Sequence, residues 1–289
     1  MSSIPPDLVA AAPPPDASRR KVRVAPSTIV AGVVLVVIVL AALFPDLLAT
    51  HEPNATALPE AKLGPGAEHF FGTDQLGRDV YSRIVYGSRI SLMFGFVATA
   101  IAIALGALVG LVSGLAPRFV DNVIMRFLEI MLAFPELLVA LVVVALLGPG
   151  TANVIIAVTV AALPTYARIV RISTIQVRQS QFVEAATALG QRRSAIVLRH
   201  VLPNVVGPLL VLATIGVGTA IIAGSSLSFL GLGPVPPSPE WGLSLSTGRD
   251  LLGSAWWVAV FPGLAITATV ISTTVIGRKL QRRFEGRSI

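Results

Sequence analysis

Six long apolar runs dominate this chain, at residues 28–49, 90–115, 122–147, 152–172, 205–231 and 255–277. A helix of about 20 apolar residues crosses the hydrocarbon of a bilayer, and each run reaches that length. Inside lipid every backbone N–H and C=O must be bonded within the protein, so a span is a helix or part of a closed barrel. The runs are continuous rather than alternating, which excludes barrel strands. The expected fold is all-α: a polytopic membrane protein with six transmembrane helices. Charged residues agree, at 13% of the chain against about 25% in a soluble domain.

Cysteine is absent, which excludes disulfides, thiol chemistry and cysteine-ligated zinc. His51, His69 and His200 are scattered, with no HExxH spacing. The first run is too long for a signal-peptide core, about 26 residues precede it, and no small-x-small site follows it. It reads as a retained span. The chain then divides into a Pro-rich disordered tail over 1–27, a membrane domain over 28–277 and a basic tail over 278–289.

An even number of spans leaves both termini on one side. Placed in the cytoplasm, that side collects Arg19, Arg20, Lys21 and Arg23, the arginines of the second–third and fourth–fifth connections, and the basic C-terminal tail. These are seventeen of the 22 lysines and arginines. Positive residues accumulate on the cytoplasmic side of membrane proteins, so both termini and segment 173–204 are expected inside. Segments 50–89 and 233–254 are expected outside. Small residues recur at four-residue spacing at Gly106, Gly110 and Gly114, and again at Gly216, Ala220 and Gly224. Such stripes let helix backbones approach closely, within one chain or between two.

The stretch "EAATALGQRRSAIVLRHVLPN" (184–204) is too polar for either flanking run. Its pattern predicts a short helix ending at Gly190, the residue type that most easily takes a left-handed cap. A second short helix follows, stopping before Pro203, which disfavours helical geometry in its predecessor. A hairpin with small residues at Ala185, Ala186 and Ala188 is shaped to be gripped by a partner. An amphipathic linker resting its arginines on anionic membrane lipids fits the same residues.

Glu184-Ala185-Ala186, Gly190 and Leu202-Pro203 resemble the EAA loop of ABC importer permeases. His-x-x-Pro-Asn, from His200 to Asn204, resembles the peptide-importer branch. "FGTDQLGRDVYSRIVYGSRISL" (71–92), "RFLEIMLAFPELLVA" (126–140), "SLSFLGLGPVPPSPEWGLSLSTGRDLLGSAWW" (226–257) and "FPGLAI" (261–266) are similar to the C-type permease subunit of dipeptide and oligopeptide importers. The tail "GRKLQRRFEGRSI" and the Pro-rich start depart from that family.

The resemblance implies a type I ABC importer permease fold in the cell membrane. Glu184, Ala185, Ala186, Gly190, Leu202 and Pro203 would couple it to a cytoplasmic ATPase. The implied partners are a homologous B-type permease, one or two ATPase subunits and an extracytoplasmic peptide-binding protein, with no nucleic acid. ATP and Mg would be bound by those ATPases. This chain has no Gly-Lys-Ser/Thr, and no cofactor or catalytic residue of its own is expected. Nickel or another small solute is an alternative cargo, and a stand-alone secondary transporter is the alternative class. The spans carry no GxSxG, HExxH or paired aspartates that an intramembrane enzyme would need.

Three further features lie along the chain. Thr73 and Asp74 are candidate N-caps of an outer amphipathic helix carrying Leu76, Val80 and Ile84, which either receives the binding protein or leads structurally into the second span. "GPVPPSPEWG" (233–242) predicts a stiff outer segment, a gate or rim element or a rigid loop closed by Trp241 at the membrane interface. Glu136 lies within the third run, where a charge costs about 2.5–3.5 kcal/mol on insertion scales unless it faces a cavity or a partner. It is the candidate translocation-path residue, or a protonated bridge to a neighbouring Thr or Ser.

Overall fold

The computed structural model describes residues 26–285, which form helices and connecting turns without a β-strand. The helices are α1 (Pro26–Leu43), α2 (Pro45–Leu48), α3 (Val80–Leu115), α4 (Arg118–Leu132), α5 (Glu136–Leu147), α6 (Thr151–Arg178), α7 (Gln181–Ala188), α8 (Arg193–Ile196), α9 (Leu202–Phe229), α10 (Trp241–Arg249) and α11 (Trp257–Glu285). The tail expected over 1–27 lies outside the described residues, except that Pro26 and Ser27 already begin α1. At the other end α11 runs past the expected boundary at 277 to Glu285.

Five helical stretches are long and apolar enough to span: α1, α3, α6, the 193–229 stretch ending in α9, and α11. The third run is not a single straight helix, contrary to expectation. It splits into α4 and α5, which meet at 92°. Pro135 causes the break, because it has no N–H to continue the helix and pushes Phe134 out of helical geometry. The twelve residues of α5 cover only about 18 Å, so the third span exists only as the bent pair.

α3 and α6 form the central pair. A Cβ on Gly106 would lie 2.7 Å from Tyr166 Cβ, one on Gly110 2.4 Å from the Ala167 carbonyl oxygen, and one on Gly114 2.8 Å from Thr174 Cβ. The first glycine stripe is thus spent inside the chain, letting α3 lie directly on the backbone of α6. The second does the same for α9, with Gly216 against Tyr166 and Gly224 against Phe94. Ala220 joins Phe94, Ala98 and Val158 in the buried core.

Across one end, segment 50–79 and residues 233–256 form a cap over α3. Asp79 is the N-cap of α3, accepting from Ser82 N at 2.7 Å. Thr73 and Asp74 therefore do not cap this helix, and Leu76 precedes it. Both are buried in a turn where Asp74 pairs with Arg78 Nε at 2.6 Å. Arg83, 7% exposed, donates to the carbonyl oxygens of Pro53 (3.1 Å), Pro237 (3.3 Å) and Ser238 (3.0 Å). One guanidinium thereby ties both outer segments to α3, and each such charge-assisted bond is worth roughly 1.5–3 kcal/mol. Trp241 is 1% exposed and donates to the Ile84 carbonyl at 2.9 Å, so it is a core residue and not an interfacial anchor. Glu240 caps α10 through Gly242 N (2.9 Å) and Leu243 N (2.8 Å) and accepts from Ser91 Oγ (3.1 Å). Burial pushes its carboxyl above the usual carboxylate range, against the pull of these bonds.

Candidate functional site

The two regions singled out by the sequence lie on different levels of the bundle. The first is the projecting hairpin between α6 and α9. α7 ends in a complete Schellman arrangement: Gly190 N donates to Thr187 O at 3.0 Å and Gln191 N to Ala186 O at 3.1 Å. Gly190 has φ +73, as the left-handed cap requires. A Cβ there would meet nothing within 4 Å, so only the backbone conformation asks for glycine.

The hairpin is stiff because one face is welded to the core. Val183 and Ala186, 6% and 4% exposed, belong to the buried cluster that also holds Val170, Ile196 and Val201. Ala186 thus points inward, whereas Glu184, Ala185 and Ala188 lie on the exposed face. Leu189, Leu198 and Phe182 add apolar surface at 81%, 63% and 48% exposure. Arg178 Nη1 donates to Gly114 O at 2.7 Å, fastening the root of the hairpin to the end of α3.

The second helix of the hairpin does not stop before Pro203. α8 passes through a π-turn, Val197–Val201, directly into α9. Leu202 N donates to Val197 O in the five-residue register. The wider turn lets the chain cross a residue lacking an N–H without ending the helix. Leu202 is half-buried and Pro203 exposed, both beside the hairpin. His200 O accepts from Asn204 Nδ2 at 2.6 Å, which explains the Pro-Asn step locally.

The second region is a cavity of about 200 Å³ between α3, α5, α6 and α9, whose polar lining is Thr99, Glu136, Thr165, Tyr166 and Thr219. Pro135 places Glu136 in the first turn of α5, where free N–H groups favour a carboxylate. Among the described residues no hydrogen bond engages Glu136, and no Thr or Ser there bridges to it.

Nearby, Asp121 on α4 accepts from Arg171 Nε and Nη2 on α6, both at 2.5 Å, and from Ser113 Oγ on α3. This clamp fixes the bent pair against the central helices. Sequence reasoning missed it, along with Arg83 and Glu240. The caps carried a local signal, an acidic residue immediately before a helix; the clamp and the Arg83 tie, between residues 50 and more than 150 positions apart, carried none.

A helical bundle with a cavity between its helices, mostly apolar but with a few polar groups, and a rigid hairpin projecting from it has the anatomy of a transport permease. The chain belongs to the binding-protein-dependent transport system inner membrane components, whose family model matches residues 102–287. Among its relatives is a dipeptide transport system permease protein of Alkalihalophilus pseudofirmus, 41% identical over 96% of this chain and 91% of the relative. A probable D,D-dipeptide transport system permease of Escherichia coli is 39% identical, covering 88% and 85%. A glutathione transport system permease of the same species is 40% identical, covering 91% and 87%. A solved inward-facing structure of the MetNI methionine ABC transporter superposes with a TM-score of 0.56 at 19% identity, covering 69% of this chain and 94% of that one. That likeness bears on the fold, a type I importer permease. The chain is therefore a multi-pass permease component of a binding-protein-dependent ABC importer.

Proposed function

We propose that this permease forms half of the translocation path of an ATP-driven importer of dipeptides and oligopeptides, paired with a homologous permease. Its hairpin docks on a cytoplasmic ATPase, which binds the ATP and Mg, and an extracytoplasmic binding protein delivers the peptide. The observation that carries the coupling role is the α7–Gly190–α8 hairpin itself. It is capped, anchored to the core on one face, and presents Glu184, Ala185 and the apolar Leu189 on the other. A stroke delivered to such an element moves α6 and α9 as rigid bodies. The peptide cargo is supported by the names of the relatives. Uptake of labelled dipeptide into vesicles holding this permease with its partner subunits tests the reading; transport of nickel but no peptide overturns it.

This orientation places both termini and the hairpin in the cytoplasm. The chain lacks cysteine, so single cysteines report the sidedness cleanly. Ala67→Cys and Val235→Cys, both on exposed positions of the cap, should react with an impermeant maleimide in intact cells. Ser194→Cys on the hairpin should react only after lysis. The opposite pattern reverses the topology.

We place Glu136 on the path. Its support is the cavity it lines and its lack of a hydrogen-bond partner among the described residues; a peptide carries an ammonium group that such a carboxylate attracts. Glu136→Gln keeps size and hydrogen-bonding capacity and removes the charge. Peptide uptake is expected to fall about fivefold to tenfold, roughly 1–1.4 kcal/mol, at unchanged complex yield. Equal rates at matched expression would remove Glu136 from the path.

A further inference from the structure

A second cavity, on the side of the bundle where α1 packs, has a different chemistry from the one at Glu136. It is a groove of about 320 Å³ between α1, α3, α9 and α11, lined by Leu35, Phe96, Ile103, Leu210, Val217 and Ile276 among others. Its wall between α9 and α11 is tight: a Cβ on Gly277 would stand 2.4 Å from Thr214 Oγ1, and one on Gly218 2.9 Å from Thr273 Oγ1. Toward the cap the same four helices close on the buried cluster of Ala42, Leu92, Val217 and Ile221. The side facing the membrane is open, where Phe96 and Leu210 are exposed. The lining offers hydrocarbon and almost nothing to bond. Thr214 Oγ1 donates to Val211 O at 2.7 Å and Thr273 Oγ1 to Thr269 O at 3.0 Å, while Thr99 is buried. A polar solute would leave its water for no hydrogen bond there. A methylene chain entering from the bilayer loses nothing and restores dispersion contacts to the walls.

Charge then selects among lipids. At the end away from the cap, α11 continues from Ile276 into Arg278, Lys279 and Arg282, and no acidic residue occurs between 251 and 284. Lys279, three residues beyond Ile276, lies nearly one helical turn further along the groove side of the helix. Arg278 is exposed and Lys279 half-buried, and among the described residues no hydrogen bond or ion pair engages either. The neighbouring wall helix, α1, is preceded in sequence by Arg19, Arg20, Lys21 and Arg23. We propose that the groove holds one acyl chain of an anionic phospholipid whose phosphate rests on Arg278 and Lys279. Basic groups where spans meet the membrane surface attract anionic headgroups, and a guanidinium matches phosphate geometry. The lipid also supplies packing that the chain lacks, because α1 buries only Ala31, Ala41 and Ala42 along its length. Neither the cargo nor the sidedness of the chain enters this argument, so the site stands or falls apart from the transport reading.

The test uses the assembled importer in phosphatidylcholine nanodiscs doped with phosphatidylglycerol that carries a photoactivatable diazirine on its acyl chain. Phosphatidylcholine bearing the same diazirine is the comparison, and mass spectrometry of the cross-linked peptides reads where each chain lies. Phosphatidylglycerol adducts are expected on Phe96, Leu210 and Ile276, about tenfold or more above those of phosphatidylcholine. Arg278→Gln/Lys279→Gln should bring the two lipids level. Arg278→Lys/Lys279→Arg keeps both charges and should keep the preference. Ala100 sits on the exposed edge of the groove, so Ala100→Phe should fill it and remove the groove adducts of both lipids at unchanged complex yield. Four results would each overturn the proposal: equal labelling by both lipids, a preference that survives the double glutamine variant, adducts that survive Ala100→Phe, or a groove left unlabelled in the assembled importer because a partner permease covers it.

Discussion

Replacing Gly190 with valine should cut peptide uptake about tenfold or more while the permease still inserts and accumulates normally. The residue sits at φ +73 in open space, so the substitution meets no steric neighbour and acts through the backbone alone. A β-branched residue in the left-handed region costs roughly 1–3 kcal/mol. The chain can relieve that strain by unwinding the Schellman cap, giving up the Gln191–Ala186 and Gly190–Thr187 hydrogen bonds. Either route misplaces α7 relative to α8, and each 1.4 kcal/mol lost from the docked geometry is a factor of about ten. Gly190→Asn is the informative control, because asparagine tolerates this conformation; it should retain most of the uptake. ATP hydrolysis that no longer responds to the loaded binding protein would be the matching signature of the valine variant. Undiminished uptake by Gly190→Val at normal subunit levels would detach the hairpin from coupling.

Much of this molecule is legible in its sequence because a membrane protein writes its constraints locally. The apolar runs mark the spans, the four-residue glycine spacing marks the α3–α6 contact, and Gly190 marks its own turn. The two prolines show where local reading stops. Pro135 and Pro203 carry the same chemistry, a missing N–H and a constrained predecessor. At Pro135 the chain turns by 92°, whereas at Pro203 a π-turn absorbs the defect and the helix runs on for 28 residues as α9. The difference comes from packing. Val201 and Val205, on either side of Pro203, are 0% and 1% exposed and lock that helix into the core, while Phe134 at the other break is 59% exposed. Only the tertiary structure supplies that information.

The outer arginines make the same point for charge. Arg78 and Arg83 counted against the cytoplasmic bias of basic residues, yet both are spent on internal bonds within the cap. This favours the structural reading of the segment that leads into α3. Candidate site residues were legible as positions and less so as directions. Ala186 belongs to the same motif as Ala185, but the helical turn of 100° per residue sends one into the core and the other into solvent.

Gly110→Val should abolish most of the folded permease. A Cβ at this position would stand 2.4 Å from the Ala167 carbonyl oxygen, 2.7 Å from Val170 Cβ and 3.0 Å from Arg171 N. Two of those neighbours are backbone, which cannot swing aside as a flexible side chain can. α3 and α6 must separate, and the separation reaches Arg171, whose bidentate bond to Asp121 holds the bent pair in place. Overpacking against yielding side chains costs about 1–3 kcal/mol, so a clash with backbone belongs at or above the top of that range. A loss of this size changes steady-state abundance several-fold. Gly32 provides the matched control on α1, since a Cβ there meets nothing within 4 Å; Gly32→Val should accumulate as the unsubstituted chain does. Membrane-fraction yield and protease resistance read both variants side by side. Equal yields would mean that the α3–α6 contact is not what holds the bundle together.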